Sequence, residues 1–228
     1  MQYLLKIRVS DIIIFIDTLV NYKTMPKTKE QFEQIRQERI NTIMESALKL
    51  FAMKGYDAVS LDEVSKDANC SHGLLYHYFE SKKDLYIAVV NKIVMPYMKD
   101  MVTGINFDQK AKFTAHDLIE ATLKRIKMVD DRNPWIIYLF LNIHLQKNLF
   151  NKKVCERTPA FQYIEDLIKK GQEEGDFNSH NPVELAISVL STFKGLAFTR
   201  IHIGYKRFLS PSSDIIMRML YEYEVITA

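Results

Sequence analysis

The stretch Ser60-Leu61-Asp62-Glu63-Val64-Ser65-Lys66-Asp67-Ala68-Asn69-Cys70-Ser71-His72-Gly73-Leu74-Leu75-Tyr76-His77-Tyr78-Phe79 reads as two short helices on either side of a tight turn. Ser60 and Glu63 have capping-box spacing, in which the hydroxyl accepts from a free backbone N–H and the carboxylate reaches back to the cap. Leu61, Val64 and Ala68 then share one face of the first helix. Asn69-Cys70-Ser71 breaks it, and Asn tolerates the left-handed backbone such a turn can need. Ser71 is placed to cap the second helix, which runs through Leu74, Leu75, Tyr78 and Phe79.

Upstream, Ile40, Ile43, Met44, Ala47, Leu48 and Phe51 recur at steps of three and four, one face of an amphipathic helix over about 36–54. Gly55 follows where a C-cap glycine belongs. Downstream, Ser81-Lys82-Lys83-Asp84 is a second capping box and opens an apolar helix to about Met101 that Pro96 should kink or interrupt. One longer helix before a short helical pair is the helix-turn-helix arrangement, whose second short helix lies in the major groove of DNA.

Beyond residue 105, Asn133-Pro134, Thr158-Pro159, Asn181-Pro182 and Ser210-Pro211 each set a capping residue before a proline, a pair suited to a helix start. The expected helices are 134–149, 159–174, 182–203 and 211–226, with another over Asp117–Val129. No β alternation competes, so the fold class is all-α, about nine helices: an N-terminal three-helix DNA-binding domain with a helix-turn-helix, then a C-terminal helical bundle.

Composition bounds the function. Of 228 residues, 47% are hydrophobic and 26% charged, an ordinary globular mix. Lys+Arg 31 against Asp+Glu 28 gives +3, and no segment is strongly basic. A nucleic-acid reading therefore rests on motif and local placement. Cys70 and Cys155 are too few for a disulfide framework or a cysteine zinc site, which points to a reducing, cytoplasmic home. His116, His144, His180 and His202 form no i,i+4 metal pair, and no cofactor motif, Ser/His/Asp set, paired carboxylates or phosphate loop has telling spacing. The expectation is no cofactor, no metal and no enzyme. Near the N-terminus, Ile12–Ile16 belongs to an apolar run of about ten residues, about half of a membrane span, and no cleavage-site pattern follows it. Residues 1–24 are read as an extension of uncertain order or as residues upstream of a start at Met25. The domain reading is 1–24, 25–82 and 83–228.

Individual residues fit the DNA role. Ser71 and His72 stand at the base-reading end of the second short helix, and Gly73 has no side chain to hold backbone away from DNA. Tyr76 and Tyr78 offer hydroxyls to phosphates, Lys82 a charge, and Ser60 its hydroxyl and the adjoining N–H groups. His77 is either a DNA contact or a bystander, whereas Leu75 and Phe79 belong in the core. No acidic residue lies between Asn69 and Phe79.

The string from Ser60 to Leu85, with Arg39–Tyr56 ahead of it, resembles the DNA-binding segment of the TetR family of bacterial repressors. Asn69, Cys70, Ser65, Leu74 and His72 stand where that family more often has Gly, Val, Ala, Thr and Lys. The resemblance implies a homodimer, a palindromic double-stranded DNA operator and a variable C-terminal domain for a small-molecule effector, with no membrane role. It further implies that 182–203 and 211–226 pair with their twins, and these segments are apolar with small residues at Ala186, Gly195 and Ala197. Candidate ligand residues are Met98, Met101, Trp135, Tyr138 and Phe161, because methionine adapts to varied shapes and large aromatics bury area. The leading expectation is a repressor released by a small, largely apolar ligand. The alternative is a ligand-independent architectural or cell-division protein on the same fold.

Overall fold

The computed structural model describes residues 29–143 and 159–221, and all its extended elements are helices. They are α1 (Lys29–Lys54), α2 (Leu61–Asp67), α3 (His72–Tyr78), α4 (Lys82–Val89), α5 (Met95–Met101), α6 (Ala111–Lys127), α7 (Arg132–Asn142), α8 (Pro159–Glu173), α9 (Pro182–Ile203) and α10 (Ser213–Met217). The expected extension at 1–24, His144, Cys155, Thr158 and the end of the 211–226 segment lie outside the described residues. The chain falls into two compact units, Met1–Asn41 and Thr42–Ala228. Of the first, the described part is the N-terminal portion of α1, where Gln37 donates to Asn41 Oδ1 at 2.9 Å.

The local signals around the turn act as read. Gly55 takes φ 81° just past α1, and its N–H donates to Phe51 O at 3.0 Å. Asn69 takes φ 49° between α2 and α3. Ser60, Ser71 and Ser81 each accept a backbone N–H three residues on, from Glu63, Leu74 and Asp84. The reciprocal half of the first box is absent, because the Glu63 carboxylate is taken by Lys54 instead. α2 packs against α3, and Leu48, Phe51, Val64, Leu75, Phe79 and Leu85 are buried. Cys70 is half-buried.

Pro96 is accommodated by widening. Its ring would crowd the carbonyl four residues back and it has no N–H to give. Between α4 and α5 the chain makes a π-helical turn, Val90–Val94, in which Met95 N–H reaches Val90 O.

Two of the expected helix starts are corrected. α7 begins at Arg132, so Asn133 lies inside it, buried, with Oδ1 accepting from Tyr97 Oη at 2.7 Å rather than capping. α10 begins at Ser213 rather than Pro211, and its helix ends at Met217. Asn181 does cap α9, accepting from Val183 N at 2.9 Å. α6 starts at Ala111, ahead of the expected Asp117. The bundle core joins α6, α7, α8, α9 and α10 through residues such as Ile119, Leu123, Ile137, Ile168, Val189, Phe193 and Ile216.

Candidate nucleic-acid interface and apolar cavity

Helix α3 is sorted by side. Leu75 and the following Phe79 are buried, while Ser71, His72, Gly73, Tyr76 and His77 are exposed and Tyr78 is half-buried. A Cβ on Gly73 would meet nothing within 4 Å, so that backbone faces open space. The His72 and Tyr76 rings meet at a tilt with centroids 4.5 Å apart, and Tyr78 meets His77 at 5.1 Å. Ser60, Asp62, His72, Tyr76 and Lys82 line one shallow concave surface. Tyr78 is the only expected contact on α3 turned partly inward.

Lys82 has a partnership that the sequence reading did not foresee. Its ammonium donates to the carbonyls of Tyr56, Asp57 and Val59 at 2.9, 3.2 and 3.0 Å and sits 4.5 Å from the Tyr56 ring centroid. An ammonium has three hydrogens. All three are thus committed to the turn between α1 and α2, which Lys82 ties to the start of α4. Asp62 is the other residue missed: read only as part of a cap, it places Oδ1 2.5 Å from His72 Nε2.

A second feature lies within the helical bundle. A cavity of about 340 Å³ is lined by Met98 and Met101 of α5, Ala115 and Ile119 of α6, Ile137, Phe140 and Leu141 of α7, Ile164 and Ile168 of α8, and Val189 and Phe193 of α9. That is the lower end of the range for small-molecule sites. Thr122 and Tyr163 bring the lining's hydroxyls; Thr122 Oγ1 donates to Leu118 O at 2.8 Å, and burial pushes the Tyr163 phenol up. Of the candidate ligand residues, Met98 and Met101 line the cavity and Trp135, Tyr138 and Phe161 do not. The reason is helical phase: about 100° per residue turns Trp135 and Tyr138 off the face that carries Ile137 and Leu141. Tyr138 instead meets Phe198 of α9, ring centroids 5.7 Å apart.

Polar links connect these regions. Arg132 Nε donates to Glu45 Oε2 at 2.9 Å, and its terminal nitrogen lies 2.6 Å from Oε1, joining α7 to α1. Arg200 of α9, 1% exposed, donates to Met128 O at 3.1 Å and pairs with Asp131 at 2.7 Å. The loop between α6 and α7 is therefore held on one side by α9 and continues directly into the residue that holds α1. Only the Arg200 end of this pair is buried, Asp131 being 60% exposed, and Arg200 is the single arginine of a helix that also carries Glu184, Lys194 and His202. Among the described residues no group of His, Cys, Asp and Glu is arranged to hold a metal, and no helix is long and apolar enough to cross a membrane.

Known proteins now place this arrangement. Residues 43–89 match the family model described as bacterial regulatory proteins, tetR family. The chain is 37% identical over 139 residues to the biofilm operon icaADBC HTH-type negative transcriptional regulator IcaR of Staphylococcus aureus, covering 58% of this chain and 73% of IcaR. The chain belongs to the TetR family. The chain is also 44% identical over 54 residues to the uncharacterized HTH-type transcriptional regulator YuxN of Bacillus subtilis, a match that spans 24% of this chain and 19% of YuxN. The fold of this TetR-family regulator is that of the HlyIIR mutant with residues 170–185 substituted by alanine: TM-score 0.62 at 19% identity, covering 87% of this chain and 100% of that one.

Proposed function

We propose that this TetR-family regulator is a repressor that binds a palindromic double-stranded DNA operator as a homodimer and is released by a small, largely apolar ligand. The observation that carries the DNA reading is the sorting of α3, with Leu75 buried and Ser71, His72, Gly73, Tyr76 and His77 outward. In this reading His72 meets base edges, and Ser60, Ser71, Tyr76, His77 and Tyr78 meet the backbone or flanking edges. Lys82 holds the α1–α2 turn in place and adds charge beside it. The segments 25–82 and 83–228 are the DNA-reading and the ligand and dimer domains. Repression is supported by IcaR, which is named a negative regulator.

The ligand reading rests on the cavity, whose described walls are hydrocarbon and aromatic apart from the hydroxyls of Thr122 and Tyr163. Its presence favours this function over the ligand-independent alternative. Dimerisation through 182–203 and 211–226 is supported by exposed apolar side chains on these segments: Ile187 and Phe198, which share one face of α9, together with Ile203 and, on α10, Ile215. Ala186 and Ala197 are buried within the protomer, so their smallness serves internal packing, whereas Gly195 faces open space. Ligand acts by population shift: it favours a state in which the two reading helices are wrongly spaced for successive grooves. The shift reaches the reader through α4 and through the Arg132–Glu45 link.

The test is binding of the protein to duplex DNA from upstream of its own gene, with and without a panel of apolar compounds. Specific binding that a panel member weakens supports the proposal. Binding no tighter than to scrambled competitor contradicts it.

A further inference from the structure

The head of the reading helix carries a carboxylate that its own sequence lacks. No acidic residue occurs from Asn69 through Phe79, yet the fold brings Asp62 from the first turn of α2 to His72 at the start of α3. Asp62 Oδ1 lies 2.5 Å from His72 Nε2. Both side chains are more than half exposed, 68% and 53%. Tyr76 holds the imidazole from a second direction, with centroids 4.5 Å apart and planes tilted by 59°. The imidazole is thus fixed in place on the surface that also holds Ser60 and Lys82.

A carboxylate accepts hydrogen bonds and cannot donate, so any hydrogen shared across this close contact is the one on Nε2. What remains outward is His72 Nδ1 and the second Asp62 oxygen, for which no partner occurs among the described residues. A bare carboxylate facing a polyanion is repelled, and the imidazole hydrogen offsets part of that cost. A lone imidazole is a poor discriminator, because either nitrogen can donate or accept. Asp62 takes up the Nε2 side, so that only Nδ1 of the ring is left to face a base. In the major groove, carboxylate acceptors match exocyclic amino groups, N4 of cytosine or N6 of adenine, and clash with the carbonyl oxygens of guanine and thymine.

We propose that Asp62 is a specificity-determining residue, which forms one reading unit with His72 and selects a base bearing an exocyclic amino group at the head of α3. The inference rests on the DNA-binding function proposed above. It assigns Asp62 a role in sequence choice rather than in affinity.

The test is selection from random duplex DNA with the full-length protein at one fixed salt concentration, for wild type, Asp62→Asn and His72→Gln. The wild-type consensus should hold cytosine or adenine at one position per half-site, and which of the two it is identifies the amino group. Asp62→Asn keeps the shape but can both donate and accept, so that position should become degenerate, with discrimination falling roughly ten-fold. Its binding to unselected DNA and its salt slope should stay at or above the wild-type level, because a negative charge has been removed. A structural role alone would instead lower binding to every sequence and the unfolding temperature together. His72→Gln keeps a donor toward Asp62 and should retain the amino-group preference. An Asp62→Asn consensus identical to that of wild type, with undiminished discrimination, overturns the inference. A wild type that enriches no sequence overturns the DNA-reading function itself, so the two failures are distinguishable.

Discussion

Arg132 grips Glu45 at two points, a hydrogen bond from Nε to Oε2 at 2.9 Å and an ion-pair contact of a terminal nitrogen with Oε1 at 2.6 Å, which together join the bundle helix α7 to α1. Both side chains are 41% exposed, which places the pair in the solvent-screened class. A double-mutant cycle on unfolding stability with Glu45→Gln and Arg132→Gln should give a coupling of about 0.5–1 kcal/mol at low salt that shrinks toward zero near 1 M salt. Zero coupling at low salt would remove this contact from the account.

Lys82 supplies three hydrogens to three carbonyls, and Lys82→Met leaves those carbonyls without their donor. Unfolding stability should fall by roughly 1–3 kcal/mol, read by denaturant titration. The salt slope of DNA binding is the companion readout. A bracing residue leaves it nearly unchanged, whereas a fall of about one unit would mark Lys82 as a phosphate neutraliser.

How much of this was legible in the sequence differs between the two regions. The serine caps, Gly55, Asn69 and the α9 start depend on contacts within a few residues, and spacing alone displays those. The apolar phase of α3 likewise separates Leu75 and Phe79 from the exposed side. The cavity residues were only half legible, because Trp135-Ile136-Ile137-Tyr138 is apolar on every face and periodicity cannot say which face lines the cavity. The Asp62–His72 and Arg200–Asp131 pairs join residues 10 and 69 positions apart, and no local rule reaches across a turn or a bundle to find them.

The cavity makes a prediction that separates the lining from the near misses. Nile red, a neutral apolar dye, should brighten on binding the wild type. Ala115→Phe, which fills the space from α6, should abolish that gain while the protein keeps its helix content by circular dichroism. Trp135→Phe should leave the gain unchanged, since Trp135 is not on the lining. The reverse ranking would place the site elsewhere.

Gly195 is exposed and would meet nothing as an alanine, so Gly195→Glu disturbs no contact within the protomer. In a dimer joined through α9 the same charge is buried without a partner, at a cost of several kcal/mol. Sedimentation should show wild-type dimer and variant monomer at micromolar concentration, with helix content retained. A variant that stays dimeric contradicts the placement.

Asp176 accepts from Lys112 at 2.7 Å and lies 3.6 Å from Lys110. The hydrogen bond from Lys112 holds its carboxyl below the usual range, against the opposing effect of burial. A depressed folded-state pKa contributes stability that is present above the ordinary Asp value of about 3.9 and is lost as pH falls through the folded-state value. The unfolding temperature of Asp176→Asn should therefore lie below wild type at neutral pH, and the gap should close as the pH is lowered past about 4. A gap independent of pH would show that Asp176 acts through packing alone.

The central claim is that α3 reads DNA in a symmetric pair, and hydroxyl-radical footprinting on the selected operator tests it most directly. Two protected patches should appear, related by the operator dyad, with centres one helical turn, about 34–36 Å, or a whole multiple of it apart. Tyr76→Phe should weaken both patches equally, because phosphate contacts carry no sequence information. A single unpaired patch, or protection that does not distinguish the operator from scrambled DNA, would contradict the account.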